Sequence, residues 1–205
     1  MERTVEQTDG TSRERIIAAA RREFAASGFA GARLQQIAAA SDLRHSTLIY
    51  HFSSKEQLYA AVIESVVADW AEETRTAIST GLRGIDQVAA LVEAGFGLFE
   101  RNPDFVRIVR RESLEDGGRL EEAMAEFLRP FLDDAVTFLR EEVAAGRLRP
   151  HDPFQLMHVC WATSLSTFSD TRFLDRLLDE DALAPERLAR HRDGLVALLR
   201  AALEP

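Results

Sequence analysis

The sequence predicts an all-α protein of about nine helices. Apolar residues recur every three or four positions along most of the chain, and no segment sustains the alternation typical of β-strands. The six prolines and most glycines lie where these apolar stripes begin or end, as expected of residues that bound helices. With 205 residues and 46% apolar content, the chain can bury a core without disulfides. Cys160, the single cysteine, excludes an internal disulfide and a multi-cysteine zinc site.

The N-terminal helices are predicted between residues that favour helix ends. Residues 1–12 are polar and are expected to form a disordered tail. Gly28 is expected to end the first helix, and Ser54 with Gln57 forms a capping-box pattern at the start of the fourth. In order, these helices are expected over 13–27, 34–40, 45–52 and 54–80.

The remaining five helices follow from the same signals. Asp152 followed by Pro153 favours a helix start, because aspartate caps the first amides and proline suits the first turn. Pro130 lies within the seventh predicted helix and predicts a kink or break near Phe127. These helices are expected over 85–100, 105–114, 120–145, 153–179 and 185–202.

The charges are distributed unevenly along the chain. The whole sequence has a net charge of −9, yet residues 11–55 hold seven basic and three acidic side chains. Residues 61–205 hold 17 basic and 27 acidic side chains. Such asymmetry is typical of a chain with one nucleic-acid-binding end, although chance explains an imbalance of this size equally well.

The segment 34–52 predicts two short helices joined by a tight turn. Leu34, Ile37, Ala38, Leu43, Leu48 and Phe52 can form their buried seam. The side chains left outside can form hydrogen bonds, as a helix inserted in a DNA major groove requires, and Lys55 just beyond can reach a phosphate. The predicted DNA-binding residues are Arg33, Arg44, His45, Ser46, Thr47, Tyr50, His51 and Lys55.

Residues 47–58, Thr-Leu-Ile-Tyr-His-Phe-Ser-Ser-Lys-Glu-Gln-Leu, are similar to the T-L-Y-x-H-F-x-S-K-E-x-L motif of the TetR family of transcriptional regulators. Gly28-Phe29 and Ile37-Ala38 also match, and the resemblance covers residues 13–62. It implies a three-helix helix-turn-helix domain over 13–56. It also implies a larger helical domain for ligand binding and dimerisation over 57–205.

Four positions depart from the family pattern. Arg33 and Arg44 stand where the family usually has hydroxylated residues, Asp42 stands at the usual glycine of the turn, and Ile49 replaces a tyrosine. Two helix N-caps are therefore expected to be missing, at a cost of about 1 kcal/mol each. Both arginines can contact phosphates, and Arg44 can also contact guanine edges. For Arg33, a neutral substitution in an arginine-rich chain is an equally good explanation.

The resemblance implies a homodimeric regulator that binds a palindromic operator in double-stranded DNA, with repression as the usual output. It also implies a small-molecule effector, which a chiefly apolar pocket would make hydrophobic or aromatic. The expected pocket residues are Trp70, Phe96, Phe99, Phe105, Phe127, Phe131, His158 and Trp161. The expected interface residues are Val159, Thr163, Phe168, Leu188, Leu195 and Leu199.

Other function classes fit the sequence less well. The chain has no G-x-S-x-G elbow, no phosphate-binding loop and no pair of histidines spaced to bind a metal on a helix, so no enzyme, cofactor or metal site is predicted. With no apolar run of 18 residues and no signal-peptide pattern, a cytoplasmic location is expected. A helical interaction module whose headpiece no longer binds DNA remains the alternative.

Overall fold

The computed structural model describes residues 2–114 and 119–205, without the side chains of 2–10, 119–128, 130 and 131. Helix is the regular secondary structure throughout this part of the chain, which confirms the all-α class. The ten helices are α1 (Glu2–Gly31), α2 (Leu34–Ala40), α3 (His45–His51), α4 (Lys55–Ser79), α5 (Gly84–Arg101), α6 (Pro103–Glu112), α7 (Arg119–Ala144), α8 (Pro153–Ser169), α9 (Thr171–Leu178) and α10 (Pro185–Leu203). Within the described residues, no helix is long and apolar enough to cross a membrane.

The first helix is longer than predicted. It begins at Glu2 rather than Arg13, so residues 2–12, expected as a disordered tail, are helical in the structure. No proline interrupts this stretch, and Glu2, Arg3, Glu6 and Gln7 in its first half favour helix. The helix is broken at Gly28, where the sequence predicts its end.

The predicted helix over 153–179 is two helices, which accounts for the tenth element. The Asp170 amide donates to the Ser166 carbonyl, while the Asp170 carbonyl accepts from the amides of Phe173 and Leu174. Asp170 therefore ends α8 and begins α9. Helix α7 continues from Arg119 to Ala144, so a break near Phe127 is excluded, while the alternative of a kink stays a prediction. Buried Val136 and Leu139 hold the turns that follow Pro130.

The chain divides into two compact units. Unit 1 comprises Met1–Val66 and Arg107–Glu126, and unit 2 comprises Val67–Val106 and Phe127–Pro205. The domain limits predicted from the sequence, 13–56 and 57–205, stay a prediction.

Unit 1 is held by apolar side chains of α1 to α4. Phe24 packs against Phe29 and Tyr59, with ring centroids 6.1 and 5.1 Å apart respectively. Ile37 of α2 and Leu48 of α3 are fully buried, as the predicted seam requires. This core fixes α2 and α3 to the long helices, so the outer side of α3 is presented on a rigid support.

Unit 2 has its own core and one buried carboxylate. The core cluster comprises Ile85, Val88, Val92, Leu139, Leu148, Leu195, Leu199 and Leu203. Beside it, Glu142 accepts a hydrogen bond of 2.7 Å from the Gly84 amide and bonds of 2.6 and 2.7 Å from the Arg147 guanidinium. The Glu142 side chain is 1% exposed, so a buried charge holds the start of α5 against the end of α7.

Candidate nucleic-acid interface

The turn between α2 and α3 is closed by hydrogen bonds to one carbonyl. The Leu43 amide and the Ser41 hydroxyl both donate to the Ala38 carbonyl, at 3.0 and 2.9 Å. Asp42 has a φ of 53°, in the left-handed region. Aspartate tolerates this conformation better than most residues because its short polar side chain can interact locally. The turn therefore has the left-handed geometry that glycine would adopt most easily.

Neither short helix has a side-chain N-cap. Arg33 is the N-cap residue of α2 and Arg44 that of α3, and neither side chain accepts a hydrogen bond from the helix amides. A guanidinium has only donors, so an arginine at this position leaves the first amides without an internal partner. The two missing caps predicted from the sequence are confirmed.

We expect Arg44→Ser to increase stability and weaken DNA binding at the same time. A serine hydroxyl can accept from an amide of the first turn of α3, which contributes about 1 kcal/mol to the free energy of unfolding. The same change removes the arginine that can contact guanine. Urea unfolding and DNA titration of the variant test both effects, with Arg33→Ser as the matched control at the other missing cap. A loss of stability in Arg44→Ser would contradict this account.

The outer side of α3 carries a compact set of exposed side chains. Ser46, Ile49 and Tyr50 are exposed, with Ile49 and Tyr50 three and four residues after Ser46, whereas Leu48 on the opposite side is fully buried. Tyr50 is 77% exposed. Among the other predicted DNA-binding residues near this helix, Arg33, Arg44 and His45 are exposed, while Thr47 and His51 are half-buried.

Ile49 was not among the predicted DNA-binding residues, although the structure places it on this outer side. The predicted residues all have hydrogen-bonding side chains, whereas the isoleucine side chain has no donor or acceptor. The helical spacing of Ser46, Ile49 and Tyr50 is the sequence signal that could have identified it.

Lys55 has a structural role that the sequence did not predict. Its ammonium donates to the carbonyls of Ala32 at 2.8 Å and Ala30 at 3.3 Å, and it lies 4.7 Å from the centroid of the Phe29 ring. The positive charge thus caps the carboxyl end of α1. An ammonium has three donors, so a third remains for a phosphate.

The start of α4 is capped much as predicted. The Ser54 hydroxyl accepts from the Gln57 amide at 3.1 Å, which is the expected N-cap bond. The side-chain oxygen Oε1 of Gln57 accepts from the backbone amide and the hydroxyl of Ser53, at 3.1 and 2.9 Å. In a standard capping box, the Gln57 side chain would accept from the amide of the N-cap residue Ser54, whereas here it accepts from the amide of Ser53, one residue earlier.

Comparison with known proteins identifies this arrangement. Residues 16–62 match the family model described as bacterial regulatory proteins of the tetR family, and residues 85–199 match the tetracyclin repressor-like C-terminal domain. The chain belongs to the TetR family. It is therefore a TetR-type transcriptional regulator with a DNA-binding helix-turn-helix and a ligand-binding C-terminal domain.

Individual TetR-family relatives agree with this assignment. The transcriptional regulator RutR of Escherichia coli K12 is 27% identical over 149 residues, which cover 73% of this chain and 70% of the relative. The transcriptional repressor NicS of Pseudomonas putida is 30% identical over 145 residues, covering 70% and 66%. The crystal structure of SCO4942 from Streptomyces coelicolor has a TM-score of 0.74 and 26% identity, covering 95% and 99%. RutR and NicS are both regulators of transcription by name.

Four of the expected pocket residues of this TetR-type regulator, Trp70, Phe96, Phe99 and Trp161, belong to an aromatic cluster in unit 2. Trp161 of α8 contacts Phe99 of α5 and Trp70 of α4, with ring centroids 5.2 and 6.1 Å apart. Phe96 extends the cluster through Phe168, at 4.9 Å. Phe168, expected at the dimer interface, and His191, stacked on Phe96 at 6.0 Å, are additions that the sequence did not predict for this group.

The other expected pocket residues are placed differently. His158 is exposed on α8, on the same outer side as Val159 and Ala162. Its place in the pocket stays a prediction. Phe105 is buried. The side chains of Phe127 and Phe131 lie outside the described residues.

Three of the expected interface residues belong to the core of the chain itself. Leu195 and Leu199 pack in the unit 2 cluster, and Leu188 is also buried, so all three are withdrawn from the predicted interface. Val159, 40% exposed, remains available to a partner, and Thr163 is half-buried. Leu198 of α10, which is not among the expected interface residues, is 71% exposed.

The lone cysteine is poorly suited to nucleophilic chemistry. Burial raises the pKa of the Cys160 thiol to about 11, so the thiol is protonated at neutral pH. Among the described residues, no three histidine, cysteine or acidic side chains group in a way that could hold a metal ion.

Proposed function

We propose that this TetR-family regulator is a cytoplasmic repressor that binds a palindromic operator as a homodimer and is released by a small hydrophobic or aromatic effector. The observation that carries the proposal is the outer side of α3, where exposed polar side chains are held on a buried apolar seam. A helix of this kind fits the width of a major groove, and its polar side chains can bond to base edges.

The proposed DNA contacts fall into two classes. Arg44 can bind the O6 and N7 atoms of guanine with its two parallel donors, and His45, Ser46 and Tyr50 can bond to bases or phosphates. Arg33, Thr47, His51 and Lys55 are proposed to contact phosphates. Phosphate contacts position the helix, whereas base contacts select the sequence.

The proposed homodimer follows from the two-fold symmetry of a palindrome. Two copies of α3 must lie about one DNA turn apart, roughly 34–36 Å, to contact both half-sites. Val159 of α8 and Leu198 of α10 are exposed apolar side chains that can contribute to the subunit contact. Their burial in a dimer would remove apolar surface from water, which favours association.

The proposed effector site is the region of the aromatic cluster in unit 2. Its side chains are mostly apolar, which favours a hydrophobic or aromatic ligand. The effector must bind the conformation that cannot bind DNA more tightly than the one that can, because equal affinity would shift no population. A shift of α4, whose residues belong to both units, is the proposed route by which the effector displaces α3 from its half-site.

Selection of genomic fragments by the purified protein tests this function. We expect enrichment of a few fragments whose footprints show two symmetric half-sites about one turn apart, bound by a protein dimer. Footprints confined to one asymmetric site, bound by a monomer, would contradict the dimer and the palindrome. Failure to enrich any fragment would instead favour the interaction module with an inactive headpiece.

A further inference from the structure

We propose that Ile49 recognises a thymine through its 5-methyl group, so that each operator half-site has a thymine at the position facing this side chain. The inference rests on DNA recognition by α3, as proposed above. It assigns a determinant of sequence specificity to a residue that offers no hydrogen bond.

The position of Ile49 on α3 supports this assignment. Ser46 and Tyr50 lie three residues before and one residue after it, and all three are on the outer side of the helix. Ile49 is 37% exposed, whereas neighbouring Leu48 is fully buried in the seam with α2. Whatever Ser46 and Tyr50 contact in a major groove, Ile49 must lie within the same groove.

The chemistry of isoleucine restricts what it can recognise there. Its side chain has neither donor nor acceptor, so it cannot discriminate the nitrogen and oxygen atoms of base edges. The 5-methyl group of thymine is the apolar group that base pairs present in the major groove. Contact between this methyl and Ile49 would remove both from water, which is favourable for apolar groups.

The branched shape of the Ile49 side chain also favours contact with the thymine methyl group. Isoleucine branches at Cβ, and one χ1 rotamer is strongly preferred in a helix. Its apolar surface is therefore held in one direction before DNA binds, and little side-chain entropy is lost on contact. A single exposed apolar residue is common on protein surfaces, but this one lies between polar side chains on the side of the helix proposed to enter the groove.

Replacement of thymine by deoxyuridine tests the inference, because the two bases differ only in the 5-methyl group. Starting from a duplex that the protein selects, each thymine is replaced in turn and the dissociation constant is measured. We expect replacement at one position in each half-site to raise the dissociation constant about fourfold, which is the effect of one buried methyl group. Replacement at the other positions should change it little.

Ile49→Ala is expected to bind thymine and deoxyuridine duplexes equally at that position. Ile78→Ala is the matched control, because Ile78 is also an exposed isoleucine in a helix but belongs to unit 2. This control should retain the fourfold discrimination.

Two results would overturn the inference while leaving DNA binding intact. Either no thymine is sensitive in the unmodified protein, or Ile49→Ala retains the full sensitivity. The first needs no variant, so it is decisive even if Ile49→Ala folds poorly. If the protein selects no duplex at all, the proposed function fails first and the inference fails with it.

Discussion

Replacing Glu142 with alanine is expected to lower the free energy of unfolding of unit 2 by about 3 kcal/mol. The change leaves the buried Gly84 amide without its acceptor, which costs about 1–3 kcal/mol. It also removes the ion pair with Arg147, whose contribution is reduced because the Arg147 side chain is 44% exposed. Urea unfolding followed by circular dichroism measures the loss.

The same carboxylate makes stability depend on pH. The hydrogen bond from Arg147 lowers the pKa of Glu142 most, and the Gly84 amide and the charges of Arg147 and Arg83 lower it further, against a rise caused by burial. A lowered carboxylate pKa stabilises the fold above the unfolded value near 4.5. This contribution is lost as pH falls from there through the lower folded pKa. Glu142→Gln should therefore lose stability less steeply in acid than the unmodified protein.

Glu141→Gln is the matched control for both measurements. Glu141 is the preceding residue of α7 and is exposed, so we expect its replacement to change the free energy of unfolding by less than about 0.5 kcal/mol. An equal loss of free energy of unfolding in the Glu141 and Glu142 variants would contradict the role assigned to the buried carboxylate.

Gly28→Ala is expected to destabilise unit 1 by about 2–3 kcal/mol. Gly28 has a φ of 70° and a ψ of 174°, a region that is essentially restricted to glycine and costs other residues about 1–3 kcal/mol. A Cβ there would lie 2.9 Å from Cδ of Arg111, too close without movement. Arg111 would then have to shift, although it donates to the Ala26 carbonyl at 3.1 Å. Urea unfolding measures this loss as well.

Two further variants separate the causes of this effect. Gly95→Ala, in the interior of α5 with open space around the added carbon, should increase stability by about 0.5–1 kcal/mol because alanine favours helix. Arg111→Ala combined with Gly28→Ala removes the close contact but leaves the backbone strain. The double variant should therefore lose less free energy of unfolding than the two single variants lose in sum. A Gly28→Ala protein as stable as the unmodified one would contradict the account.

Local sequence signals predicted the DNA-binding region well. The limits of α2 match the prediction and α3 ends one residue earlier, because the turn, the caps and the buried seam are all encoded within about twenty residues. The missing caps at Arg33 and Arg44 could be predicted for the same reason. Ile49 could not be predicted from the same signal, because its side chain has no hydrogen-bonding group.

Contacts between distant residues could not be predicted in this way. Lys55 caps carbonyls of α1 more than twenty residues earlier, and Arg111 contacts Ala26 across 85 positions. An apolar stripe also does not reveal what covers it. Leu195 and Leu199 were assigned to a partner subunit, but they pack in the core of their own chain.

The measurement that tests the central claim most directly is the binding of the purified protein to a selected duplex and to a random duplex over a series of salt concentrations. The account predicts tight binding of the selected duplex, with the logarithm of the binding constant falling linearly with the logarithm of salt concentration because phosphate contacts release counterions from the DNA. Tyr50→Ala should weaken this binding while leaving the fold intact, since Tyr50 is exposed. Equal binding of the two duplexes at every salt concentration, or unchanged binding by Tyr50→Ala, would contradict the claim that the outer side of α3 recognises DNA.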